Sequence, residues 1–221
     1  MNNDCIEIFP DASLKKFNNG RIVTCAGVLF PKNNMSDWKV LPDSTNNEAE
    51  LMAVYMAVKM AKKILTAYPE YKDKEIRIYS DSKSAVYGLT RSMTGWLKNI
   101  DIYGTIYKCS NEPVKNQELF FKIINYLVDN NLKVKILHIK GHINYFNNNK
   151  IDLANRVFEE SNGYKLPNED MSRICFYNCM VDEYTRRILN TLSEEDLYKY
   201  DRPVFSKVSP PPKNYREFIL Q

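Results

Sequence analysis

Two aspartates stand directly after runs of apolar residues: Asp11 follows Ile8-Phe9-Pro10, and Asp81 follows Ile78-Tyr79-Ser80. Side chains alternate along a strand, so Asp11 shares a face with Phe9 and Asp81 with Tyr79. Neighbouring strands could therefore present both carboxylates at one place. Carboxylates gathered closely repel one another unless a cation neutralises them. A hard divalent ion such as Mg²⁺ takes oxygen ligands of this kind and keeps waters and phosphate oxygens as the rest. Phosphodiester hydrolysis by two metal ions ~3.5–4 Å apart needs several carboxylates converging on one spot. An aspartate at either place also serves as a helix cap or turn residue, and a lone one usually does only that.

The elements that must position these groups can be followed along the chain. Residues 6–9 form a short apolar run, and Asn18-Asn19-Gly20 is a turn signal before a β-branched, apolar stretch at 21–30. Pro31-Lys32-Asn33-Asn34 marks a second turn, with a third candidate strand at 38–41. The period then changes: Leu51, Val54, Tyr55, Val58, Ile64 and Leu65 recur at helical spacing across 48–67. Thr45-Asn46-Asn47-Glu48 has the form of a capping box at the start of this helix, and Pro69 ends it. A strand at 75–80, helices at 82–90 and 117–130, a strand at 134–139 and a helix at 149–161 follow. This order predicts an α/β fold with a five-stranded mixed sheet and helices on both faces.

Beyond residue 162 the texture shifts. Gly163, Pro167 and Asn168 suggest a boundary, followed by a helix carrying Tyr184, Ile188 and Leu192. Pro203 and the run Pro210-Pro211-Pro212 favour extended chain. Two units are expected: a catalytic domain at 1–162 and an appendage at 163–221, the latter open to a protein partner. A chain ended after Asn162 is expected to fold and work. No internal repeat is present.

Composition narrows the classes without choosing among them. The 221 residues are 44% apolar and 26% charged, as in globular proteins. Lys and Arg exceed Asp and Glu by 31 to 27, a net +4 that permits nucleic-acid binding without requiring it. Met1-Asn2-Asn3-Asp4 lacks the basic and apolar regions of a secretory signal, and no apolar run approaches the ~18 residues of a membrane span. Five scattered cysteines show no disulfide framework, so a reducing cytoplasm is expected; a monomer away from membranes is expected as well. Cys175 and Cys179 have metal-like spacing, but only two histidines exist and neither is near, which argues against a site there.

Several motifs in order carry a specific resemblance. Asp11-Ala12-Ser13, Asn46-Asn47-Glu48-Ala49-Glu50-Leu51, Ser80-Asp81-Ser82, Gly141-His142 and Asp152-Leu153-Ala154 together resemble the type 1 ribonuclease H family. Pro113-Val114-Lys115-Asn116 and the interval from His142 to Asp152 add to the likeness, which covers about residues 5–160. The resemblance implies cleavage within the RNA strand of RNA–DNA hybrids by two Mg²⁺ ions, replaceable by Mn²⁺. It implies that Asp11, Glu50, Asp81 and Asp152 are the metal ligands, with Asp11 bridging, and that His142 aids proton transfer or product departure. It also implies substrate contacts from Ala12, Ser13, Asn46, Asn47, Trp96, Lys98 and Asn148. Asn46 and Asn47 serve equally well as capping residues. His138, inside a strand, reads as structural.

Two departures from the family stand out. Ala12 replaces a glycine, tolerable if its dihedrals suit alanine. Residues 93–112 occupy the place of a hybrid-gripping protrusion yet carry Asp101 and Glu112 among their lysines. A 3′–5′ exonuclease of related fold would show Asp-x-Glu on the first strand, where this chain has Asp11-Ala12-Ser13. A non-catalytic hybrid-binding module would not need all four carboxylates. Finally, Glu48 and Glu50 are two residues apart, about 200° around a helix, so both cannot face the metals. Glu48 suits the capping box, and Glu50 the site.

Overall fold

Three strands open the chain: β1 (Cys5–Lys16), β2 (Ile22–Phe30) and β3 (Met35–Pro42), paired antiparallel in series. The computed structural model describes residues 5–201 and 208–220; Pro203 lies outside them. β1 runs past Pro10 and Asp11, farther than the apolar run alone predicts. The reason is a change of partner. β1 pairs in parallel with β4 (Glu75–Ser80) only as far as Ile8↔Ile78, then continues against β2 from Phe9 to Lys16. Pro10, which has no N–H to donate, sits where β1 has already left β4, so no ladder bond is lost on that side.

Helix α1 (Asn46–Ala67) begins where expected, with Thr45 Oγ1 accepting from the Glu48 N–H at 3.2 Å. It packs with α4 (Gln117–Asp129) over one face of the sheet, burying Ile6, Ile8, Leu51, Val54, Val58 and Ile124. Between β4 and α4 the expected single helix at 82–90 is replaced by α2 (Lys83–Tyr87), a π-turn at Gly88–Ser92 and α3 (Met93–Lys98). β5 (Val134–His138) pairs in parallel with β4, and α5 (Asn148–Asn162) ends at Gly163 with φ +83°, a helix-stopping conformation that glycine adopts freely.

Among the described residues the sheet has six strands, in the order β3-β2-β1-β4-β5-β6, rather than five. The sixth, β6 (Ile219–Leu220), comes from the tail and pairs with Val134 and Lys135 of β5. Two residues carry too little pattern to be recognised as a strand in sequence.

The residues read as an appendage do not pack as one. Helix α6 (Asn168–Thr191) lies along β1 and β2 on the sheet face opposite α1. Alternate residues of β1 meet it in turn. Glu7 pairs with Arg173, Phe9 lies 5.3 Å from the Tyr177 ring, Ser13 Oγ is 2.8 Å from Thr185 Oγ1, and Lys15 Nζ donates to the Leu189 and Leu192 carbonyls. With α5 it covers a second core containing Phe9, Tyr79, Leu137, Ile139, Phe158 and Ile174. The contact is close: a Cβ on Gly27 would meet Thr185 Cγ2 at 2.5 Å. Of Tyr184, Ile188 and Leu192, only Leu192 is buried; the helix turns Val181, Thr185 and Leu189 inward instead.

Candidate active site

Asp11 lies just past the point where β1 leaves β4, Asp81 follows β4 directly, and Glu50 lies near the start of α1, just after its first turn. The fold brings these three together: carboxylate oxygens, one from each, all lie within 4.8 Å of one another. Asp11 and Glu50 are buried, and Asp81 is half-buried. Burial, followed by the charges of Asp81, Glu50 and Asp182, holds the Asp11 carboxyl well above the usual range. Glu50 is pushed up to about 8 by burial and then by Asp81, against the opposing hydrogen bond from Asn46. Burial also raises Asp81, with a bond from Asn178 pulling the other way. Without a cation this cluster holds on to protons.

Few hydrogen bonds relieve it. The Ala12 N–H donates to Asp11 Oδ1 at 2.7 Å, and Ala12 needs no positive φ, so alanine is accommodated there. Asn46 Nδ2 reaches Glu50 Oε1 at 3.4 Å, but Glu50 Oε2 is buried with no partner among the described residues. Gly141 closes the rim, since a Cβ there would fall 2.0 Å from Asp81 Oδ2.

The other expected residues divide. His142 is exposed, in a left-handed conformation (φ +53°), with Nδ1 3.4 Å from Asp182 Oδ2. Asp152 is not part of the three-carboxylate cluster; it is exposed on α5 and accepts from Asn168 Nδ2 at 3.0 Å. Ser13 is buried, its hydroxyl engaged by Thr185 and Asp182. Asn47 and Trp96 line a cavity of about 550 Å³ beside the cluster, together with Lys83, Tyr87, Lys108 and Lys115. Lys98 and Asn148 are exposed and do not line it. His138 is buried against Ser161 at 3.0 Å, a structural placement.

Sequence reasoning missed α6 altogether as a neighbour of the carboxylates. Asn178 Nδ2 donates to Asp81 Oδ2 at 3.4 Å, and Asp182 adds a fourth negative charge that raises Asp11, Glu50 and Asp81. A signal existed. The inward stripe of α6 is Met171, Ile174, Cys175, Asn178, Val181, Asp182, Thr185 and Leu189, apolar except at its middle.

The RNase H family model matches residues 3–158, most of the chain. The chain belongs to the ribonuclease H family. It is 27% identical over 169 residues to a ribonuclease H from Pseudomonas fluorescens, covering 74% of this chain and 99% of that protein. It is 32% identical over 159 residues to one from Clostridium botulinum, covering 70% and 96%. A foamy viral protease-reverse transcriptase solved with dsDNA aligns with TM-score 0.49 and 19% identity, over 73% of this chain and 97% of that one. The three gathered carboxylates lie within the matched segment, while α6 lies beyond it.

Proposed function

We propose that this protein hydrolyses the RNA strand of RNA–DNA hybrids internally, using two Mg²⁺ ions and leaving 3′-hydroxyl and 5′-phosphate ends. The observation that carries the proposal is the convergence of Asp11, Glu50 and Asp81 oxygens within 4.8 Å of one another at one end of the parallel strands. The residues fit such ions: the ligands are hard oxygens, their mutual repulsion calls for positive charge, and Glu50 Oε2 is buried without a partner. When bound, divalent ions activate the attacking water and stabilise the leaving oxygen, and Mn²⁺ can take their place.

The chain's own residues do the rest. Asp11, Glu50 and Asp81 would hold the ions, and Asp152 would join them as the family-matched ligand by leaving Asn168. His142, exposed and with Nδ1 3.4 Å from Asp182 Oδ2, would carry a proton at its ring nitrogens, a role that suits an imidazole. The adjoining cavity, with Lys83, Lys108 and Lys115 beside Tyr87 and Trp96, offers cations for phosphates and rings for sugar edges. Recognition through 2′-hydroxyls and backbone would give little sequence preference.

Incubating the full chain with Mg²⁺ and labelled RNA–DNA, RNA–RNA, DNA–DNA and single-stranded RNA tests the proposal. Internal cuts confined to the RNA of the hybrid are expected. Trimming from the 3′ end, or equal cutting of double-stranded DNA, would refute it.

A further inference from the structure

Helix α6 brings two polar side chains into the carboxylate cluster from outside the segment that matches the family. Both lie on its buried stripe: Asn178 is 2% exposed and Asp182 7%. We propose that Asp182 and the side-chain oxygen of Asn178 are ligands of the divalent-metal site, so that α6 completes it. This rests on the metal-dependent function set out above.

Asn178 points into the cluster, because its Nδ2 already touches Asp81 Oδ2 at 3.4 Å. Its Oδ1 is buried and has no hydrogen-bond partner among the described residues, as is true of Glu50 Oε2. Two orphaned acceptors belonging to one cluster are costly to bury, and a cation that both could face removes that cost. Asp182 is buried one turn along α6 from Asn178 on the same inward stripe, whereas Asp152 is exposed and turned to Asn168. The Asp182 carboxylate is held by Arg186 from one turn along α6 and lies 3.4 Å from His142 Nδ1. Arg186 is 54% exposed and anchored on the same helix, so it can withdraw when an ion of higher charge takes the carboxylate.

A purely structural Asp182, serving only Arg186 and Ser13, makes a different prediction. Mn²⁺ alone is titrated into the full chain in neutral buffer, and the free ion is counted by electron paramagnetic resonance. Asp182→Asn is expected to weaken Mn²⁺ binding by at least about tenfold. Glu183→Gln, which removes an exposed carboxylate paired with Arg187 on the same helix, is expected to leave it unchanged. A folded Asp182→Asn that binds like wild type overturns the proposal, as does an equal loss in Glu183→Gln. If Asp182→Asn does not fold, Arg186→Gln decides: tighter binding, from removal of the competing cation, supports the proposal, and equal or weaker binding overturns it. Uptake lost in Asp11→Asn but kept in Asp182→Asn removes this inference alone. A wild-type chain that takes up no Mn²⁺ removes the metal-dependent function with it.

Discussion

The two faces of the sheet are built from different material. Under α1 and α4 the contact is apolar, from Ile6 and Ile8 through Val54 and Ile124, except for Glu50 near the start of α1. Under α6 it is apolar at both ends, with Phe9, Tyr79 and Ile174 at one and Cys25, Val40 and Leu189 at the other. Between them lie Asp11, Ser13, Asn178, Asp182 and Thr185, all buried. A domain that sought only stability would fill that gap with carbon, because buried carboxylates cost more than they return unless paired. The contrast marks where the fold accepts a cost for chemistry. It also shows that the apolar ends of α6 hold its polar middle in place.

The largest effect should come from the polar middle. Asp11→Asn is expected to bring cleavage well below about a tenth of the wild-type rate, a loss exceeding ~1.4 kcal/mol, while hybrid binding stays equal or tightens. Parallel rate and binding assays check this, and a variant above that level would show that cleavage does not depend on the Asp11 carboxylate. Next is the apolar support. A chain ended after Asn162 would expose Phe9, Tyr79, Leu137 and Phe158, so it is expected to lose its cooperative melting transition. A soluble fragment that melts cooperatively would make α6 dispensable.

A smaller effect concerns pH. The carboxyls of Asp11, Glu50 and Asp81 are raised in the folded state. A raised carboxyl contributes stability fully below its unfolded pKa and loses it as pH climbs through the folded value, which for Glu50 is about 8. In metal-free buffer the melting temperature of wild type should therefore fall relative to Glu50→Gln as pH rises from ~5 toward that value. Mg²⁺ should close the gap. A gap that does not change with pH would mean that Glu50 is not held protonated.

Much of the architecture was legible because its elements are long and periodic: α1 and α4 by their apolar stripes, the first strands by their turns. Asp11, Glu50 and Asp81, singled out by their order in the sequence, lie together in the fold. Asp152 shows the limit. A motif gives the position of a residue but not the rotamer or partner that an unmatched segment such as Asn168 supplies. Helix α6 was misjudged for a physical reason: Tyr184, Ile188 and Leu192 make a plausible apolar stripe, and the true one is broken by Asn178 and Asp182. Polar residues in a buried stripe lower its apparent amphipathicity at the very place where they matter. Strand β6 was invisible because two residues have no period.

The most direct test separates Glu48 from Glu50. Glu48 donates its N–H to Thr45 Oγ1 and stands outside the cluster, whereas Glu50 is buried within it. Cleavage rates are measured for Glu48→Gln and Glu50→Gln at saturating hybrid and Mg²⁺. The expected result is near wild-type cleavage for Glu48→Gln and a fall of at least about a hundredfold, ~2.7 kcal/mol, for Glu50→Gln. An inactive Glu48→Gln beside an active Glu50→Gln would contradict the site described here.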